Sequence, residues 1–126
     1  MPNDLTLLSV IIPARNEQDA LPSTVEHLFV ELRRNGIPHE IVVVDDGSTD
    51  GTWDVLCSLM DEIPTLAPQR KQQPHGFGHA IVHGIHKCTG DAVCIMMADE
   101  SDDCRDVVRY WHILNVGYDA VFGSRF

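Results

Sequence analysis

In the stretch Ile41-Val42-Val43-Val44-Asp45-Asp46-Gly47-Ser48-Thr49-Asp50-Gly51, four β-branched residues in a row run straight into carboxylates and turn formers. Such a run, with no polar alternation, suits a strand covered on both faces, which is the pattern of a parallel sheet. Asp45 and Asp46 then stand at the strand's carboxyl end, the edge of an open α/β sheet at which ligands bind. The arrangement returns downstream, where Ala92-Val93-Cys94-Ile95-Met96-Met97 runs into Ala98-Asp99-Glu100-Ser101-Asp102-Asp103. Turn and capping chemistry alone would account for the first acidic pair. It accounts less well for two strands that bring acids to the same edge.

Working outward, Leu5 to Ile12 reads as a first strand closed by Pro13, which cannot donate to a ladder. Leu21, Val25, Leu28, Phe29 and Leu32 recur at helical spacing and predict an amphipathic helix that ends near Asn35-Gly36. After the acidic loop, with Ser48, Thr49 or Asp50 available as N-cap, the positions Trp53, Leu56, Leu59, Met60 and Ile63 mark a second helix stopped by Pro64. A short strand around Leu66 and a polar loop follow. A third helix is expected from about Phe77 to Cys88, then the strand Ala92 to Met97. Val107, Val108, Trp111 and Leu114 give a further helical stripe, and Asp119 to Gly123 begins one more strand. Alternating strands and helices predict an α/β, Rossmann-like layered sheet, mainly parallel, with helices on both faces.

The chain has 126 residues, enough for a single domain with its own core. With 19 acids against 9 basic residues its formal charge is -10, which argues against nucleic acid or an anionic membrane as a partner. No run approaches the roughly 18 apolar residues of a membrane span. An anionic ligand would need local neutralisation by Arg15, by Arg70-Lys71 or by a divalent cation. Oxygen ligands gathered at strand ends suit Mg2+ or Mn2+, which are bound through one or two carboxylates plus substrate phosphates, and Glu17 is a further oxygen donor. The four cysteines show no Cys-x-x-Cys spacing, and Cys94 reads as a small core residue in a reduced, cytosolic protein.

Two further patterns have structural as well as functional readings. Gly76-Phe77-Gly78-His79-Ala80 opens a helix, where glycines either bring backbone N–H groups close to a phosphate or let the helix pack closely on the sheet. His75, His79, His83 and His86 fall at spacings of four, four and three, which would align them on one helix face. They are not read as a zinc site, because no Glu follows a leading His.

In order and spacing these motifs resemble glycosyltransferase family 2, specifically the nucleotide-sugar-binding half of its GT-A fold and its dolichyl- or polyprenyl-phosphate sugar transferase branch. The resemblance rests on Val10 to Glu17, Val42 to Thr52, Gly76 to Ala80 with Gly84, Thr89-Gly90-Asp91 and Gly123-Ser124-Arg125. It implies that Pro13, Arg15, Glu17, Asp45, Asp46, Gly76, Gly78, Asp99 and Ser101 line a nucleotide-sugar pocket, with Asp46 at the base or ribose. It implies also that Asp99 is the catalytic acid of an Asp-x-Asp motif that holds Mg2+ or Mn2+ on the diphosphate. Met97 replaces the first Asp of that motif, leaving Asp99 with Asp102, or Asp103, as the metal-binding acids.

The reaction so implied is inverting transfer of a sugar from a GDP- or UDP-sugar to an acceptor, a polyprenyl or dolichyl phosphate in this branch. The resemblance further implies that residues 1–126 form one nucleotide-sugar-binding domain, an incomplete catalytic domain whose acceptor part lies downstream. Such a protein works in the cytoplasm, at the membrane face through segments outside this chain, and an uncovered last strand favours homo-oligomers. Two other classes remain: a non-catalytic nucleotide-binding module, and an Mg2+-binding phospho-acceptor receiver domain. The receiver pattern places its acidic pair after the first strand and a Lys after the last, and neither is present.

Overall fold

β-branched runs build the centre of the sheet, and the helical stripes cover it. The computed structural model describes residues 5–99 and 103–115. Its elements are β1 (Leu8–Ala14), α1 (Leu21–Arg34), β2 (His39–Asp45), α2 (Thr52–Leu59), β3 (Leu66–Arg70), α3 (Phe77–Lys87), β4 (Ala92–Ile95) and α4 (Cys104–Asn115). The four strands are parallel in the order β3-β2-β1-β4. β1 and β2 run in register from Leu8↔His39 to Ala14↔Asp45, so the β1–α1 and β2–α2 loops leave the sheet side by side.

Both faces are covered, as two buried clusters show. Leu8, Val10, Ile12, Ile41 and Val43 point to the side of α1, α2 and α4, where Leu21, Val25, Leu28, Leu56 and Trp111 meet them. Ile11, Val42 and Val44 point the other way, to Ala80 of α3. The expected α/β layering is therefore present. α3 lies over β1 and β2, so Val93 and Ile95, the outward residues of β4, stay 42% and 44% exposed.

Several details depart from the sequence reading. Pro13 does not close β1 but sits inside it, opposite Val44. Ile11 O accepts from Met96 N–H on the β4 side, whereas Ala14 O accepts from Asp46 N–H on the β2 side. Pro13, two residues after Ile11, thus aims its missing donor toward β4, where pairing has ended at Ile11↔Ile95. β4 stops at Ile95 rather than Met97. α2 ends at Leu59, earlier than Pro64 requires, because Met60 faces solvent while Ile63 turns back into the core. Its N-cap is Gly51; Asp50 accepts from Thr52 N–H at 3.0 Å, whereas Ser48 and Thr49 bond elsewhere. Cys94 is partly exposed instead of fully buried, and none of the four cysteines forms a disulfide among the described residues. The expected strand Asp119 to Gly123 lies outside the described residues. No helix among those described is long and apolar enough to cross a membrane.

At the amino edge, Glu40 accepts from Ser9 Oγ at 2.6 Å and from Thr89 N–H, Ser9 Oγ accepts from Gly90 N–H at 2.8 Å, and Asp91 takes the N–H groups of Thr6 and Leu7. The Thr89-Gly90-Asp91 motif is thus a brace at the edge opposite the acidic loops. Close packing of helix on sheet falls to Gly84, where a Cβ would lie 2.6 Å from Ile11 Cγ2. Ile11 is fully buried and β-branched, so it cannot swing aside. Gly84→Ala should therefore lower stability by about 1–2 kcal/mol, overpacking outweighing the roughly 1 kcal/mol gain in helix propensity. A thermal melt checks this, and an unchanged or raised Tm would contradict it.

Candidate functional site

The register of β1 and β2 leaves their two loops adjacent, and side chains stitch them. Asn16 adopts φ 54, a left-handed conformation that asparagine tolerates better than most residues. There its Oδ1 accepts from Thr49 N–H at 2.8 Å and Asp50 N–H at 3.3 Å, and its own N–H donates to Ser48 Oγ at 2.9 Å. Glu17 N–H donates to Thr52 Oγ1 at 3.0 Å, and Gly51 N–H to Gln18 Oε1 at 2.7 Å. Pro13, Arg15 and Glu17 are thereby held beside Asp45 and Asp46. Arg15 is exposed and Glu17 half-buried.

Asp45 and Asp46 differ in what they do. Asp45 is 1% exposed, and its Oδ1 accepts from Ser48 N–H at 3.2 Å, shaping the loop. Asp46 reaches across to the start of α3, where Oδ1 meets His75 Nδ1 at 2.8 Å and Oδ2 accepts from Gly76 N–H at 2.7 Å. Burial by itself would raise the Asp46 pKa. The Gly76 and His75 hydrogen bonds, helped by the charges of His75 and Lys71, outweigh it and hold the carboxyl below its ordinary 3.8. Gly76 has φ 137 and Gly47 φ 75, regions that side-chain-bearing residues rarely enter. A Cβ on Gly47 would also lie 2.7 Å from His75 Cε1, so the imidazole rests against the bare glycine backbone.

Beside this cluster lies a cleft of about 550 Å3, lined by Gly47, Arg70, Lys71, Gln72, Gln73 and His75. The Arg70 guanidinium sits 5.3 Å from the centre of the Trp53 ring. Lys71 is 9% exposed, and its ammonium donates to the carbonyls of Gln72 and Pro74. Of the two basic residues expected to neutralise an anion here, Lys71 is engaged by its own loop.

Asp99 follows β4 at the same edge and is exposed, and Ala98 O beside it accepts from Thr24 Oγ1 of α1 at 2.9 Å. Asp103 is unsuited to the substitute metal role, because Arg105 grips its carboxylate from Nη2 at 2.8 Å and holds its pKa at about 2. Ser101 and Asp102 lie outside the described residues. Among those described, no three His, Cys, Asp or Glu side chains group as a cation site. The chemistry of Asp99 nonetheless suits Mg2+ or Mn2+ held by one carboxylate plus phosphate oxygens.

Gly78 stands in the exposed first turn of α3 with nothing within 4 Å of an added Cβ. The histidines do not form one helical row: His75 precedes α3, whose N-cap is Gly76. His83 Nε2 is buried with no partner among the described residues, and burial, aided by the charges of Lys87 and Lys71, holds its pKa below the ordinary value. Sequence spacing singled out neither His75 by itself nor Asn16. The available signal was their position, each adjoining a loop acid or glycine at a strand's carboxyl end.

The chain matches the profile described as Glycosyl transferase family 2 over residues 9–126. It is 31% identical over 122 residues to the undecaprenyl-phosphate 4-deoxy-4-formamido-L-arabinose transferase of Pectobacterium atrosepticum, covering 96% of this chain and 37% of that protein. Against the dolichol-phosphate mannosyltransferase of Pyrococcus furiosus it is 32% identical over 121 residues, covering 94% and 33%. A mannosyltransferase from Pyrobaculum calidifontis, solved in complex with GDP-Man and Mn2+, superposes with a TM-score of 0.67 at 27% identity over 79% of this chain and 30% of that one. The glucosyl-3-phosphoglycerate synthase of Mycobacterium tuberculosis, in complex with Mn2+, UDP and phosphoglyceric acid, shares the fold with a TM-score of 0.72 at 22% identity, covering 89% and 40%. The chain thus spans about a third of the length of the curated relatives it matches.

The geometry of Asp46 has a pH signature. Its folded pKa is lowered, so its contribution to stability is fully present above the unfolded value of 3.8 and is lost as pH falls through the lower folded value. Asp46→Asn should therefore be less stable than the parent at pH 7, with the difference shrinking as acid protonates Asp46 in the parent. Urea midpoints measured from pH 7 down to the acid limb check this, and a difference independent of pH would contradict it.

Proposed function

The chain belongs to glycosyl transferase family 2, and from that premise we propose that it forms the donor-binding part of an inverting transferase acting on a nucleoside-diphosphate sugar. The observation that carries the reading is the delivery of the β1, β2 and β4 ends, with Arg15, Glu17, Asp45, Asp46 and Asp99, to one edge of a GT-A-type sheet. The nucleoside lies toward β2 and β3, where Pro13, Asp46, Gly76 and the cleft stand, and the diphosphate lies toward Asp99 at β4. The relatives that act on undecaprenyl or dolichol phosphate favour a polyprenyl phosphate acceptor at the cytoplasmic face of a membrane, met by a part of the protein beyond these residues.

In this reaction an acceptor phosphate oxygen forms a bond to the anomeric carbon as the bond from that carbon to the diphosphate breaks, which inverts the centre. A phosphate acceptor is already ionised at neutral pH, so no strong general base is needed. The chain's task is to position the donor and to stabilise the charge that grows on the leaving diphosphate. Arg15, exposed at the β1 end, is the chain's own donor for that charge. Asp99, with Asp102, would hold Mg2+ or Mn2+, whose charge would stabilise the leaving diphosphate.

Calorimetric titration with UDP, GDP and their sugar conjugates, with and without Mn2+, tests the reading. One nucleotide class should bind, and Asp99→Ala should weaken binding in Mn2+ by tenfold or more; failure of every nucleotide to bind would sink the proposal. Because a thioether is a poor ligand for a hard cation, Met97→Asp should tighten Mn2+-dependent binding without a comparable gain in metal-free buffer. An unchanged metal dependence would show that Met97 does not limit the cation site.

A further inference from the structure

His75 is the one described side chain that is both oriented by a buried acid and turned to the cleft. Its Nδ1 lies 2.8 Å from Asp46 Oδ1, its ring rests on Gly47, and its side chain keeps 26% exposure. Asp46 can only accept, so Nδ1 must carry the hydrogen, which in the neutral ring leaves the lone pair on Nε2. Among the described residues Nε2 has no protein partner. Both oxygens of Asp46, by contrast, already accept from His75 and Gly76. The surface offered to a ligand beside the β2 end is therefore an imidazole acceptor, with the carboxylate behind it.

We propose that His75 is the residue that reads the nucleoside, its Nε2 accepting from a base N–H or a ribose hydroxyl, and that Asp46 is a positioning residue that acts through it. This rests on the nucleotide-sugar reading above. The cleft's roughly 550 Å3 is the right scale for a small-molecule site. β3 and β4 are three strand spacings apart, roughly 14 Å at the usual 4.8 Å per strand, so a ligand whose diphosphate lies at Asp99 places its nucleoside near His75. An imidazole that served only as a plug fixing the start of α3 would show no response of Nε2 to a ligand.

The test uses the chain itself, nitrogen-labelled at histidine, with UDP and GDP as probes. The bound nucleotide should move the His75 Nε2 resonance while Nδ1 keeps its signature. His75→Asn retains a donor near the Nδ1 position and removes Nε2; it should melt close to the parent and bind roughly tenfold more weakly. The affinity lost on 2′-deoxy substitution or on N-methylation of the base should disappear in His75→Asn for whichever group donates, and coupling in either arm supports the assignment. If the parent binds neither nucleotide, the nucleotide reading and this inference fall together. If the parent binds, Nε2 does not respond and neither arm couples, His75 is structural and this inference alone is overturned.

Discussion

Burial of β1 and β2 on both faces is the constraint from which the rest follows. A strand with no solvent face cannot slip by one residue without exchanging the sets that meet α3 and α1, and Ile11, Val42 and Val44 on one side are as enclosed as Val10, Ile12 and Ile41 on the other. The locked register puts Ala14 beside Asp45, and both chains then leave the sheet at one level. Asn16, Ser48, Thr49 and Thr52 can bond across only because of that alignment. The cross-loop bonds thus depend on the apolar register beneath them.

On this base a single buried carboxylate links the β2 end to the start of α3. Asp46 is costly to bury as a charge, and the structure offsets the cost with a backbone N–H, an imidazole and a nearby ammonium. The same bonds bring the loop before α3 to the carboxyl edge, so the proposed nucleoside contact and local stability would share one set of atoms. Substitutions at Asp46 will mix the two effects, whereas His75 Nε2, which packs on Gly47 but makes no hydrogen bond to a described residue, separates them. The division of labour between the acids is also clear: Asp45 shapes a turn, Asp46 orients an imidazole, Asp103 is neutralised by Arg105, and Asp99 stands exposed at the β4 end.

The parallel α/β layering, the two acidic strand ends and the family were legible in the residues, because apolar runs and helical stripes report burial directly and the motifs keep their order along the chain. Element ends were less legible. Pro13 reads locally as a stop, yet it is harmless in β1 because its missing donor points where β4 no longer pairs. Ser48 and Thr49 read as caps, but their partners are across the loop on Asn16, more than thirty residues away in sequence.

By itself the sequence determined which segments are buried and which carry carboxylates, since hydrophobic periodicity and strand-end chemistry are properties of neighbouring residues. Only the tertiary structure decided which carboxylate faces what. His75 was one of four regularly spaced histidines until the β2 end met the loop before α3, and Lys71 was an available cation until its own loop folded over it. Those assignments depend on groups far apart in the chain, and the packing of the sheet is what brings them within a hydrogen bond of one another.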